Sequence, residues 1–346
     1  MPLLRPISTL PRMTVTPESS PPIARVREWP AGDKLTGFYL LVKMETRQKK
    51  DGAPYLVCTL QDATGTMEAL LWENFAELQA STEAGDVLKV EAAVDRYRDV
   101  PRLHVLRIRK ATDEEAPDRR LFLPHSPLSA EDAQTGIGEI IASVKNEHLR
   151  SLLLAVFGDE SLMKAFLDAP GGKMWHHAAI GGLAEHSVSL ARVADSVSAH
   201  YADVNRDLLV SGALLHDVGK MQELSTDVAI DYSVEGRLLG HIVQGAMLID
   251  RKIAELSDFP EELRRQVLHL ILSHQGDGSM GSPVKPMTIE ALILHYLDEL
   301  DSKHEAFSRV RNATPPGQDF SEYVRLMERF FYFKSVDDQP KEGDTP

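Results

Sequence analysis

The run Leu214-Leu215-His216-Asp217-Val218-Gly219-Lys220 decides how the C-terminal half of this sequence is read. An imidazole and a carboxylate stand side by side at the end of an apolar helical stretch, with a glycine just beyond. Adjacent residues of a helix do not share a face. The two groups therefore reach one point only if one sits on the last turn and the other swings round as the helix ends. Gly219 is the expected stop signal. A nitrogen and a carboxylate oxygen meeting in this way suit a divalent cation.

A His-Asp pair alone is common, but the surrounding chain repeats the same chemistry. Upstream lies Gly181-Gly182-Leu183-Ala184-Glu185-His186. Downstream come Leu239-Gly240-His241, Leu272-Ser273-His274 and His295-Tyr296-Leu297-Asp298-Glu299-Leu300-Asp301. Each sits inside or at the edge of a predicted helix. This ordered series, from Met174 to Lys303, resembles the HD-domain metal-dependent phosphohydrolases. Three longer strings look like the YhaM family: His176-His177-Ala178-Ala179-Ile180-Gly181-Gly182-Leu183-Ala184-Glu185-His186-Ser187, Ser273-His274-Gln275-Gly276 and Gly281-Ser282-Pro283-Val284-Lys285-Pro286. That family consists of 3′-to-5′ exoribonucleases that join an OB-fold to an HD domain.

The resemblance implies a first metal held by His186, His216, Asp217 and Asp298. It also implies a second, bridged by Asp217 and held by His241 and His274, the pair clamping the attacking and leaving oxygens of a phosphodiester. Asp298 is preferred to Asp301, three residues later on the same helix face, because it directly follows an apolar run. Asp301 is read as orienting a histidine from behind. The family pattern has a second histidine after the one matched by His274; here that position is Gln275, a poor ligand, which weakens the second site. Lys220 lies within the match, one turn past the His-Asp pair, and is expected to act with Asp217 in catalysis by aiming its ammonium at a phosphate. Ser282, Lys285 and Arg237 are candidates to line the strand path. His176 and His177 are given a substrate or structural role; His200, His269, His295 and His304 are read as structural. Manganese is the implied metal, with cobalt, iron or zinc compatible with a shell of nitrogen and oxygen, as one ion or two.

Composition bounds the rest. A chain of 346 residues with 43% hydrophobic residues has room for two domains. No run approaches the roughly 18 apolar residues that span a bilayer. The prolines and serines at the N-terminus do not read as a secretory signal, so a cytoplasmic protein without membrane contact is expected. The single cysteine, Cys58, excludes an internal disulfide and a thiolate zinc site; it alternates with Leu56 and Leu60 and is read as core. A net charge of -14 argues against a broad basic surface for nucleic acid. It leaves room for a local site built from metals, aromatic rings and a few arginines.

Residues 1–31, rich in proline and serine, are read as a disordered tail, with a short strand around Ile23 to Val26 as the alternative. From 32 to 112 the period becomes two: Phe38 to Val42, an Asp51-Gly52 hairpin signal, Tyr55 to Leu60, Met67 to Leu71, a short helix near 73–79, Leu88 to Val94 and Leu103 to Ile108. Five strands with a helix between the third and fourth is the order of the OB-fold, a small barrel that takes single-stranded nucleic acid or sugars. The stretch from Thr59 to Gly65 with Leu71-Trp72 also looks like the OB domains attached to nucleic-acid enzymes. Tyr39, Tyr55 and Trp72 are candidates for base stacking. Lys49, Lys50, Arg96, Arg98, Arg102 and Arg107 are candidates for phosphate contacts. Residues 113–130, with Pro117, Pro124 and Pro127, read as the linker. An all-α HD-type helical bundle is expected over 131–333, with helices from Ile137 to Phe157 and near 161–169, 183–201, 205–217, 234–255, 260–274, 287–309 and 318–333. A flexible tail is expected over 334–346. No internal repeat is present.

Three functions are compatible with this reading. The first is a metal-dependent 3′-to-5′ exoribonuclease that hydrolyses single-stranded RNA, with single-stranded DNA as an alternative strand, to nucleoside monophosphates. The second is an HD-type phosphohydrolase of nucleotides or cyclic dinucleotides, with the barrel as a docking module. The third is a single-strand-binding adaptor with a degenerate HD scaffold. A homo-oligomer is compatible with each.

Overall fold

The computed structural model describes residues 20–115, 118–173, 176–226, 229–315 and 317–334. Contacts divide the chain into two compact units at Pro124/His125. Among the described residues, no helix is long and apolar enough to cross a membrane.

The first unit is a closed barrel of strand order β1-β2-β3-β5-β4. Its strands are β1 (Lys34–Gln48), β2 (Pro54–Asp62), β3 (Gly65–Leu71), β4 (Val87–Tyr97) and β5 (Val100–Lys110). β1 is long enough to serve two neighbours: its first half pairs with β4, its second with β2, and a bulge between Leu41 and Lys43 re-aims it between them. The Asp51-Gly52 signal does make the β1–β2 turn, Gly52 taking a left-handed φ of 83°. β3 and β5 close the barrel in parallel. Leu56, Cys58 and Leu60 face Met67, Ala69, Leu71, Leu88, Val90 and Ala92 in the interior. A short helix, here α2 (Ala76–Ser81), links β3 to β4.

The tail expected through residue 31 does not extend that far. Residues 23–26 form one helical turn, α1 (Ile23–Val26), whose Ile23 and Val26 enter the barrel core. Its start is tied down: the Ile23 amide donates to Asp62 Oδ2 (2.6 Å), and Ser20 Oγ accepts from the Phe38 amide (2.8 Å). The part of the expected tail before residue 20 lies outside the described residues. The linker is shorter than expected too. Phe122 and Leu123 are buried, and Gln61 Nε2 donates to the Phe122 carbonyl (3.2 Å).

The second unit is helical: α3 (Ala130–Ser143), α4 (Glu147–Phe157), α5 (Glu160–Asp168), α6 (Gly182–Ser198), α7 (Arg206–Leu215), α8 (Lys220–Glu223), α9 (Val234–Ala254), α10 (Glu261–Ser273) and α11 (Ile289–Ala313). A two-stranded ribbon, β6 (Leu224–Ser225) with β7 (Asp231–Tyr232), interrupts it. Side chains of Ser129, Asn146, Asp159, Asn205, Ser233 and Thr288 accept from the first-turn amides of their helices, which is why these helices start where they do. α7 is apolar all round and buried from Leu208 onward, the mark of a central helix. The helix expected near 318–333 does not form. Phe320 bridges Tyr332 and Val324 bridges Arg329 instead, and the rings of Phe320 and Tyr332 lie 4.9 Å apart. Aromatic residues spaced for cross-strand pairing outweighed a weak helical period. The expected tail from residue 335 onward lies outside the described residues.

Burial pushes the Cys58 thiol up to about 12, so at pH 8 it stays protonated inside the barrel. Native protein is expected to leave a thiol-specific chromogenic reagent unreacted at pH 8, and protein unfolded in guanidinium to consume one equivalent. Rapid labelling of the native form would contradict this packing.

Candidate metal centre

Because α7 is buried on every side, it delivers His216 and Asp217 to the middle of the helical unit rather than to its surface. His216 keeps helical dihedrals as the cap of α7. Gly219 does not stop the helix by turning left-handed, as expected, since its φ is -65°. Its lack of a side chain serves a close approach instead: a Cβ there would stand 1.9 Å from the His241 carbonyl oxygen. Gly182 does the same at the start of α6, where a Cβ would lie 2.0 Å from the His177 carbonyl oxygen. Gly240, with φ 71°, breaks α9 so that its second half begins at His241.

Four histidines meet at Asp217, and each is held the same way. His216 Nδ1 donates to the Ala213 carbonyl (2.9 Å) and His274 Nδ1 to the Ile271 carbonyl (2.7 Å). His186 Nδ1 donates to Asp301 Oδ2 (2.8 Å), and His241 Nδ1 to Glu223 Oε1 (3.0 Å). An acceptor behind each ring fixes its tautomer and turns the Nε2 lone pair inward. The Nε2 atoms divide between the two oxygens of Asp217. His216 and His186 face Oδ2 at 3.3 and 3.8 Å; His241 and His274 face Oδ1 at 3.4 and 3.5 Å.

The two late aspartates play different parts. Asp298 Oδ1 lies 3.2 Å from His186 Nε2 and 3.9 Å from His216 Nε2. Asp301 stays behind the ring, accepting also from His177 Nε2 (2.9 Å) and Ser189 Oγ (2.9 Å). Lys220 Nζ donates to Asp217 Oδ2 (2.6 Å) and to the Gly171 carbonyl (2.7 Å). Burial works against charge at Asp217, but the Lys220 ammonium and His216 hold its carboxyl well below the usual carboxylate range. Burial likewise opposes a proton on His186, yet hydrogen bonds to Asp298 and Asp301 push that imidazole up to about 9. The cluster has a strong appetite for positive charge.

The donor set fits a metal ion. Inward-facing atoms of His186, His216 and Asp298, and of His216, Asp217 and His274, lie within 4.8 Å of one another. Asp217 Oδ1 and His274 Nε2 are buried with no hydrogen-bond partner, an unfavourable state that a cation would relieve. All the donors are nitrogen or oxygen. On the His241 side, Gln275 Nε2 lies 3.1 Å from His241 Nε2. The amide therefore donates into the lone pair that a second ion would use, and a second site needs that amide turned over. Two cavities open on the cluster, one of about 600 Å³ and one of about 860 Å³. His176, Lys220, Gln275 and Met280 line both. Of the strand-path candidates, Lys285 lines the larger cavity, Ser282 is buried, and Arg237 stands beside Tyr232. Glu223, which positions His241, was not singled out from sequence. No spacing ties it to His241 until the break at Gly240 brings the two together.

On the barrel, Tyr39 is corrected from a stacking candidate to a core residue: it is 1% exposed and its hydroxyl donates to the Pro21 carbonyl (2.8 Å). Tyr55 and Trp72 stack on each other at 4.8 Å, with Lys49 Nζ 5.3 Å from the Trp72 ring and Lys50 exposed at the adjoining turn. A second aromatic site, Tyr97, was missed. It is 54% exposed in the β4–β5 hairpin, with Arg98 and Arg102 at 5.4 and 5.0 Å from its ring. Arg102 is also paired with Asp95 (2.6 Å), Arg96 donates to the Arg27 carbonyl (2.8 Å), and Arg107 lies exposed on β5.

The geometry separates Asp298, facing the Nε2 atoms, from Asp301, behind them. Titration calorimetry with Mn²⁺ is expected to show Asp301→Asn binding about 10- to 100-fold more weakly at unchanged stoichiometry, and Asp298→Ala losing stoichiometric binding. The reverse order would contradict the division.

Comparison with known proteins agrees with both units. Residues 183–303 match the family model described as HD domain, and residues 41–111 match the one described as OB-fold nucleic acid binding domain. Among solved structures, a murine DNA binding protein bound with double-stranded DNA is 20% identical over 30% of this chain and 59% of its own, at a TM-score of 0.23. A p204 HINb domain is 18% identical over 30% and 56%, also at 0.23. The second OB-fold domain of replication protein A from Methanococcus maripaludis is 20% identical over 27% and 96%, at 0.21. The chain thus spans under two thirds of the first two, and at these scores none of the three bears on its activity. The chain joins an OB-fold nucleic-acid-binding domain to an HD domain of the metal-dependent phosphohydrolase kind, with buried His/Asp clusters that suit a metal.

Proposed function

We propose that this protein is a metal-dependent 3′-to-5′ exoribonuclease of the YhaM kind, releasing nucleoside monophosphates from single-stranded RNA. The observation that carries the reading is the convergence of His186, His216, Asp217 and Asp298 beside the larger cavity, which Asp217 and Asp298 line. The strings at 176–187, 273–276 and 281–286 support the choice of polarity and substrate by their likeness to that family. The preceding OB-fold supplies the affinity for single strands.

In this reading His186, His216, Asp217 and Asp298 hold a divalent ion, manganese by the same likeness, and Asp217, His274 and His241 form a second site that depends on Gln275. When bound, such an ion supplies Lewis acidity toward phosphoryl oxygens and makes water acidic enough to give a nucleophile at neutral pH. The chain's own groups do the positioning. Asp301 and Glu223 keep the His186 and His241 rings turned inward, so no reorganisation is needed when substrate arrives. Lys220 is fixed by Asp217 and Gly171 with its ammonium at the wall of both cavities, where it offsets negative charge that grows on the phosphoryl group. Burial and the Lys220 charge push His176 down to about 4. It therefore faces both cavities as a neutral imidazole at pH 7, able to hydrogen-bond substrate and too weak a base to take up a proton there.

Single-stranded RNA labelled at its 5′ end and incubated with the Mn²⁺-loaded protein is expected to shorten stepwise from the 3′ end. Chelation should stop the reaction, and Asp217→Asn should slow it by about 100-fold or more. Turnover of cyclic dinucleotides or mononucleotides alone would transfer the proposal to a small-molecule phosphohydrolase. Undiminished cutting by Asp217→Asn would refute the site. The Lys50→Ala, Arg98→Ala double variant is expected to lower the slope of log affinity for RNA against log salt by about 1 to 1.5, as loss of two single-strand phosphate contacts requires. An unchanged slope would remove these side chains from the RNA path.

A further inference from the structure

The smaller cavity has a wall that the hydrolytic cluster does not use. Tyr232, on β7, lines it together with Lys173, His176, Lys220 and His241, and is 42% exposed. Lys173 Nζ lies 5.4 Å and the Arg237 guanidinium carbon 5.6 Å from the centre of the Tyr232 ring. Both cations also bond one oxygen of Asp231, at 2.6 and 3.2 Å. Two groups this close to a single atom do not straddle an aromatic ring, whose two faces need about 7 Å between contacting atoms. They therefore leave one ring face free of these cations, and they stiffen the tyrosine by cation–π contact.

We propose that Tyr232 is the platform on which the base of the 3′-terminal nucleotide stacks, making the smaller cavity the subsite for the nucleotide about to be released. This deepens the exonuclease reading and rests on it. A volume of about 600 Å³ falls within the roughly 300–1,000 Å³ of small-molecule sites, enough for one mononucleotide. The Asp231 carboxylate neutralises one of the two flanking cations and leaves one positive charge beside the ring. Lys220, His176 and Gln275 mark the junction with the larger cavity, so a strand passing between the cavities presents one phosphodiester to the cluster. The larger cavity, with Lys285, Tyr296 and Lys303 in its walls, then takes the strand upstream of that bond. Stacking reads every base alike, as a trimming enzyme requires.

The test is direct binding of AMP and of ribose 5-phosphate to the Mn²⁺-loaded full chain, with 3′-trimming of labelled RNA measured in parallel. Tyr232→Ala is expected to weaken AMP binding about tenfold and leave ribose 5-phosphate binding unchanged, while Tyr232→Phe retains the affinity for AMP. Equal AMP affinity in the wild type and Tyr232→Ala, or AMP binding no tighter than ribose 5-phosphate, would overturn the stacking subsite and leave the exonuclease reading standing. Loss of AMP and ribose 5-phosphate binding together in Tyr232→Ala would overturn it as well, by showing a collapsed cavity. AMP binding that follows Tyr232 in a protein that does not trim RNA would uphold the subsite and defeat the exonuclease.

Discussion

Four hydrogen bonds from histidine Nδ1 atoms, to two helix carbonyls and two carboxylates, hold the centre of this protein together. Each turns an Nε2 toward Asp217. Ring nitrogens crowded on a buried carboxylate need something positive among them, a proton such as His186 carries or a cation. The fold supplies part of that charge through Lys220 and leaves Asp217 Oδ1 and His274 Nε2 unpaired. A protein that only needed a packed core would fill this space with apolar side chains at lower cost. The apolar helix α7 ends here, and the glycines at 182 and 219 let neighbouring backbones close around the pair.

The same arrangement explains how the cavities and the cluster form one site. Lys220, His176 and Gln275 line both cavities, which in the proposed reading gives a phosphodiester held there a nucleotide on each side. Of the acceptors behind the rings, Glu223 lines the smaller cavity and Asp301 lines neither. Asp301 is saturated by His186, His177 and Ser189, and Glu223 accepts from both the ring and the backbone amide of His241. Gln275 sets the asymmetry of the centre, because its amide meets His241 Nε2 on the Oδ1 side of Asp217.

Much of this was legible before the fold was known, for identifiable reasons. Alternating apolar residues and the Asp51-Gly52 turn mark the barrel because pleated strands expose one face to the core. The ordered histidines and the His-Asp pair mark the cluster because their types match nitrogen and oxygen ligation. What escaped is non-local. Four residues, Ile23 to Val26, are too few to nucleate a helix by themselves and form their turn against the barrel. Tyr39 is open to either a stacking or a core role until its register puts it inside. Residues 320–332 read as helical until their aromatic rings pair across a turn. Glu223 becomes a partner of His241 only after Gly240 breaks the helix, and Gly219 looks like a stop signal where it is a point of contact.

The most direct measurement of the central claim is anomalous diffraction at the manganese edge from crystals grown with Mn²⁺. The expected result is a strong peak enclosed by the Nε2 atoms of His186 and His216 and the carboxylates of Asp217 and Asp298, with any weaker peak on the His274 side of Asp217. Full manganese binding in solution with no density inside that ring of side chains, or density only at His177 and Asp301, would contradict it.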